Sequence, residues 1–234
     1  MSTNNNNDND RSQYSWLRNT FWPVYGDENK QVIPMLAMLA LVLFNYTSLR
    51  IIKDTLILHA TGSSEEVLTV LKLFWVVPFA VLFTMYNAFI GSKVSKKNLF
   101  YWILLPFLIY FLIFALIYPY VSFLHMDLET INKYKNSVPS MFKYFVPAFG
   151  NWFYALFYVM AEMWGTVATG VLFWQFALMT IDKKKMARIF PIFASYSNIG
   201  LVVAGSVQYF FKLTNDQSCF MIISSGIFIF LKIA

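Results

Sequence analysis

The sequence predicts an all-α membrane protein, a bundle of six helices, and three observations carry that prediction. Residues 99–118 and 191–211 hold no formal charge, and residues 144–181 hold only Glu162. Charged residues make up 13% of the 234-residue chain and hydrophobic ones 58%, whereas a soluble domain of this size carries about 25% charge. The apolar runs are continuous, so they lack the ten-residue alternation of a membrane β-barrel. Helices are then the structures that satisfy every backbone N–H and C=O inside lipid.

Taken in order, residues 1–32 read as a polar cytoplasmic segment. It opens on MSTNNNNDND as a disordered start and continues into a short interfacial stretch around Phe21-Trp22-Pro23. No apolar run precedes Ile33, so no cleavable secretory signal is expected at the extreme N-terminus, and the first helix acts as an uncleaved anchor. Residues 33–234 read as the transmembrane domain, with helices at about 33–58, 68–90, 99–118, 151–180, 191–211 and 219–234. Pro78 predicts a kink in the second, because proline removes one backbone donor and clashes with the preceding turn. A short interfacial turn is expected around residues 142–149, ahead of the fourth helix. The sixth helix spans only ~24 Å at 1.5 Å per residue against a hydrocarbon core of ~30 Å. It predicts a truncated product, half of something larger.

Lysine and arginine set the orientation. One side collects Arg11, Arg18, Lys30, Lys93, Lys96, Lys97, Lys183, Lys184, Lys185 and Arg188; the other collects Lys133, Lys135, Lys143 and Lys212. Ten against four predicts a cytoplasmic N-terminus. The same bias accounts for the net charge of +6, so no nucleic-acid partner is expected. The single cysteine, Cys219, allows no internal disulfide and no thiolate metal cluster, and reads as a packing residue.

The charges inside the spans are the informative ones. Glu162 lies near hydrocarbon depth, where insertion of a carboxylate costs roughly 2.5–3.5 kcal/mol, so it must face a cavity or a partner of opposite charge. Tyr158, Thr166 and Thr169 share its side, and Ala161, Gly165 and Gly170 would let a neighbouring helix come close. These features fit a structural ion pair and a substrate or proton-coupling site equally well. At the outer end of the first helix, Arg50, Lys53 and Asp54 fall on one face, a turn after Tyr46. Snorkelling to the interface, with Arg50 and Asp54 pairing locally, is one reading. A cavity-facing anion site is the other, since two cations at the non-cytoplasmic end oppose the charge bias. The fifth helix carries Ser195, Tyr196, Ser197, Asn198, Gly200, Gly205, Ser206 and Gln208, whose polar side is expected to face the bundle interior, first as interhelix hydrogen bonds and second as a substrate lining.

Several chemistries drop out. The chain has no GxxxxGK[ST] phosphate loop, no HExxH zinc motif, no HxxxxD acyltransfer pair and no GxSxG elbow, so no enzyme, no metal and no cofactor is expected. His59 and His125 lie outside the spans and are expected at the surface.

The segments NYTSLRIIKD (residues 45–54) and AEMWGTVATGVLFWQFA (residues 161–177) resemble the ATP/ADP translocase family, the nucleotide transporters of plastids and obligate intracellular bacteria. FWPV (residues 21–24), the NK run leading to Pro34, and Arg188, Phe193 and Asn198 add to the resemblance, which covers essentially the whole chain. It implies a twelve-helix, major-facilitator-like transporter, of which this chain is the N-terminal half. It also implies exchange of ATP for ADP across the lipid bilayer of the cell (inner) membrane. The family's functional basic residue corresponds to Lys53 and its functional acid to Glu162. Arg50, Asp54 and Asn198 complete the candidate substrate-binding set, and the resemblance places two further charged residues in the second half. Two departures bear on substrate choice: Leu178 stands where the family often has asparagine, and Phe193-Ala194 where it has Phe-Gly. A non-transporting remnant or interaction module, and a carrier of another nucleotide by proton symport, are the alternatives.

Overall fold

In the computed structural model, which describes residues 15–25 and 28–211, every regular element is helical. The expected sixth helix at 219–234 lies outside the described residues. Among the described residues, five helices are long and apolar enough to cross a membrane: Asn29–Leu58 (α2), Glu65–Gly91 (α3), Tyr101–Phe123, Trp152–Leu178 and Lys185–Val207. This is an all-α, multi-pass membrane architecture. A short helix, α1 (Trp16–Phe21), precedes them. The third span belongs to α4 (Lys96–Ile117), which tightens into a 3₁₀ turn over Tyr118–Phe123. After it come α5 (Leu128–Ser137), α6 (Phe145–Gly150) and α7 (Trp152–Val167). A π-helical turn, Ala168–Leu172, leads to α8 (Phe173–Thr180), and then α9 (Lys183–Tyr196) and α10 (Asn198–Phe211) complete the order.

The described residues form two compact units, one within 48–167 and the other made of those before 48 together with those from 168 on. In the first, α4 and α7 meet along an aromatic seam. Phe107, Phe111 and Phe114 recur at i, i+4 and i+7 on α4, while Phe153, Phe157 and Trp164 keep helical spacing on α7. Phe114 stacks on Phe153 with centroids 4.7 Å apart and lies 4.2 Å from Phe157. Trp164 meets Phe107 edge-on at 5.5 Å. A second cluster joins Ile57 of α2 and Val67 and Leu71 of α3 to Ala155 and Tyr158 of α7.

The backbone absorbs Pro78 through a π-helical turn over Leu71–Val76. Proline offers no N–H to the carbonyl of Phe74, and the wider turn falls just ahead of it. The α2–α3 loop is fixed from outside. Gly62 adopts φ +65, and a Cβ there would lie 2.8 Å from Ile131 of α5, so this turn requires glycine. Lys135 donates to the Gly62 carbonyl, and the Asn151 amide donates to the carbonyls of Thr61 and Pro147 at 2.9 Å each. These contacts tie the end of α2 to the start of α7. The register of Lys53 against Glu162 therefore rests on more than apolar packing. His125 departs from the expected surface position: it is half-buried, its ring 4.3 Å from that of Tyr154. Burial beside an aromatic ring holds its pKa below the usual histidine value.

In the other unit, the stretch expected at the interface has Phe21 exposed and Trp22 and Pro23 half-buried; the burial begins just after it. Val24 and Tyr25 are buried, and α2 starts at Asn29, four residues before the expected 33. Glu28 supplies the reason. This buried carboxylate accepts from Arg188 and pairs with Lys185 at 3.2 Å, and the Arg188 guanidinium lies 5.0 Å over the Tyr25 ring. The helix expected from 191 begins at Lys183 for the same reason, since Lys185 and Arg188 must lie on it to reach Glu28. It is interrupted at Ser197. Gly200 packs directly on α2, where a Cβ would overlap the Ala40 carbonyl oxygen.

Candidate functional site

Lys53 sits on α2 within two turns of the helix end, and its side chain is only 3% exposed. A buried ammonium requires partners, because water no longer solvates it. Three are in place. Its Nζ donates to Asp54 Oδ1 at 2.8 Å, lies 3.0 Å from Glu162 Oε2, and sits 3.9 Å above the centre of the Tyr158 ring. Glu162 and Tyr158 are four residues apart on α7 and so share one face of it. The partner of Glu162 is therefore Lys53, 109 positions earlier, in the same compact unit.

The exposures are unequal, and that inequality gives the site its character. Asp54 and Glu162 are 38% and 36% exposed, against 3% for Lys53. The cation lies beneath, the two carboxylates lie on the open side, and the buried Tyr158 ring forms the floor. An anion approaching from the open side meets negative charge first. Thr166, one turn further along α7, is exposed, and its hydroxyl donates to the Glu162 backbone carbonyl at 3.4 Å.

Arg50 is placed differently from the expected pairing. It is exposed and makes no ion pair or hydrogen bond among the described residues; Asp54 pairs with Lys53 instead. Residues 50 and 53 are ~60° apart around a helix of 3.6 residues per turn. That offset places Lys53 on the packed side of α2 and leaves Arg50 on the open side. Asn198 belongs to the other compact unit, where it is exposed and its side-chain amide donates to the Ala194 carbonyl at 3.1 Å. Ser197 and Ser206 likewise donate locally, to Ala194 and Val202, whereas Tyr196 makes an interhelix bond of the expected kind, its hydroxyl donating to the Phe21 carbonyl of α1 at 3.4 Å. Gly170 has open space where a Cβ would stand, so of the small residues expected to admit a neighbouring helix it is not one that does, while Ala161 and Gly165 are buried.

Two features escape sequence reasoning. Tyr158 is visible there only as a neighbour of Glu162; a cation over its ring is a tertiary contact with no local signature. The Glu28 cluster joins residues 157 or more positions apart, and Arg188 alone signals it. The pocket lined by Phe79, Phe83, Pro106, Phe107 and Met163, about 220 Å³, is apolar and offers nothing to an anion. Among the described residues, no three metal-ligating side chains converge.

The arrangement is a buried cation held between two helices by one carboxylate from each. The profile of the TLC ATP/ADP transporter family matches residues 7–231. "ADP,ATP carrier protein 3" of Rickettsia conorii is 39% identical over 201 residues, covering 86% of this chain and 40% of that protein. "ADP,ATP carrier protein 1" of Chlamydia muridarum is 39% identical over 190 residues, covering 81% and 36%. The chain thus spans about two fifths of the length of these curated relatives. No solved structure matches it.

Proposed function

Because the chain belongs to the TLC ATP/ADP transporter family, we propose that it forms the N-terminal half of a carrier that exchanges ATP for ADP across the cell membrane, with its N-terminus in the cytoplasm. The observation that carries this reading is the Lys53–Glu162 pair, which joins two spans through a buried cation. A nucleotide brings about three to four negative charges, and in a low-dielectric cavity a preplaced ammonium attracts them far more strongly than in water.

Arg50, exposed and without an ion pair among the described residues, is the first cation the phosphates meet. Lys53 is the second, once its bond to Glu162 opens. The freed Glu162 carboxylate then accepts a hydrogen bond from ribose or base, or pairs with a cation of the C-terminal half. The ion pair closes again when the site empties, so the carrier returns through a neutral, stable state. Alternating access results if the two halves rock about this site. No step makes or breaks a covalent bond, so the protein acts as a carrier and not as an enzyme.

The test is counter-exchange of labelled ATP in bacterial cells expressing the protein, with a panel of other nucleotides and with and without a proton gradient. Exchange that needs internal ADP and is abolished by Lys53→Ala and by Glu162→Ala supports the assignment. Undiminished exchange in both variants rules it out. Uptake driven by the proton gradient alone would move the protein to the symport class.

A further inference from the structure

Resting on the reading of Lys53 as the phosphate-binding cation, we infer that Asp54 is a positioning residue that weakens nucleotide binding, keeping the site able to release what it takes up. Asp54 and Glu162 hold the same ammonium at 2.8 and 3.0 Å, but they are not equivalent. Glu162 stands on α7, so a Lys53 side chain drawn toward a phosphate leaves it behind. Asp54 is the next residue on the same helix, and its carboxylate can follow the ammonium as it swings. It remains against Lys53 in both positions, competing with the phosphate for the cation and repelling it.

The charge balance supports this division. Arg50, Lys53, Asp54 and Glu162 together sum to zero. Once Glu162 is released, Lys53 and Asp54 still cancel, leaving Arg50 as the uncancelled cation of the remaining three. A site meant only to bind would not place a carboxylate, 38% exposed, on the open side of its buried cation. An exchanger gains from one, because binding the substrate too tightly in the ground state lowers turnover. Tyr158 fits the same scheme: its ring is fully buried and holds the ammonium without adding charge, so it anchors the resting position and does not compete for it.

The experiment measures binding of inorganic pyrophosphate to the purified protein in lipid nanodiscs at fixed ionic strength. Asp54→Asn should bind roughly tenfold more tightly than the wild type, the order expected for removing one nearby like charge. Asp54→Glu should match the wild type, and Lys53→Gln should bind neither wild-type nor tightened amounts. In ATP counter-exchange, Asp54→Asn should lower KM and lower kcat together, a split that a purely structural role would not produce. Asp54→Ser serves the same purpose if the asparagine variant fails to fold. Weaker, unchanged or undetectable binding by both Asp54→Asn and Asp54→Ser overturns the inference. If Lys53→Gln still abolishes binding in that case, the Lys53 reading stands. If Lys53→Gln leaves binding intact, the site assignment itself is wrong.

Discussion

Replacing Lys53 with methionine keeps much of the length of the side chain and removes the charge, leaving two carboxylates to face each other. Asp54 Oδ1 and Glu162 Oε2 lie at most 5.8 Å apart, the 2.8 and 3.0 Å contacts laid end to end. Two unit charges at that distance repel by about 3 kcal/mol at an effective dielectric of 20 and by under about 1 kcal/mol in water. Both carboxylates are more than one third exposed, so about 1 kcal/mol is the appropriate figure. In the wild type the sign is opposite: Glu162→Gln removes an attractive partner of Lys53 and should cost about 1–2 kcal/mol, moderated because Asp54 remains. Glu162→Gln should therefore destabilise the wild type yet stabilise the Lys53→Met background by about 1 kcal/mol. Unfolding by SDS titration of micellar protein, followed by far-UV circular dichroism, measures all four corners of the cycle. If Glu162→Gln shifts the midpoint equally and in the same direction in both backgrounds, the two side chains are not coupled and the ion pair has no energetic content.

Other consequences rest on single contacts. Gly200→Ala drives a Cβ into the Ala40 carbonyl oxygen, a backbone atom that cannot swing aside. It should lower stability by about 1–3 kcal/mol in the same SDS titration, whereas Gly170→Ala, with nothing within 4 Å, should be near neutral. Glu28→Gln leaves Arg188 and Lys185 facing an amide in a buried setting. It should destabilise by about 2–3 kcal/mol and expose the start of α2 to faster hydrogen exchange. On pH, His125 has a folded pKa below its unfolded value near 6.5, because burial disfavours its charged form. The fold is thus at full strength above that value and weakens as pH falls toward the depressed folded pKa; His125→Phe should remove that limb of a thermal-stability profile. Asp127, held down by the hydrogen bonds from Thr130 at the start of α5, acts in the same direction but below the ordinary carboxylate value of 3.8.

The sequence disclosed the spans better than it disclosed the contacts, and the reason is the range of each signal. An uncharged run such as residues 99–118 is local, and lipid leaves helix as its solution. The Lys53–Glu162 contact crosses 109 positions. Periodicity can show that Glu162 needs a partner, but it holds no distance between helices, so the partner emerges only from packing. The same limit governs Arg50. Arg50 and Asp54 have the i, i+4 spacing that favours a surface salt bridge, yet Asp54 turns to the adjacent Lys53, because a cation 3% exposed has more to gain from a carboxylate than one in the open. Burial outranks spacing wherever the two compete, and burial is a tertiary quantity. Glu28 obeys the same rule: within residues 1–32 it reads as one more polar residue, and only the approach of Lys185 and Arg188 turns it into the anchor of the N-terminal segment. Both buried-charge sites share one design, an ion held by partners from distant parts of the chain. They differ in one physical respect. Glu28 is an anion held by cations, while Lys53 is a cation held by anions. A phosphate has nothing to gain at the first and, on the proposed function, takes the place of Glu162 at the second.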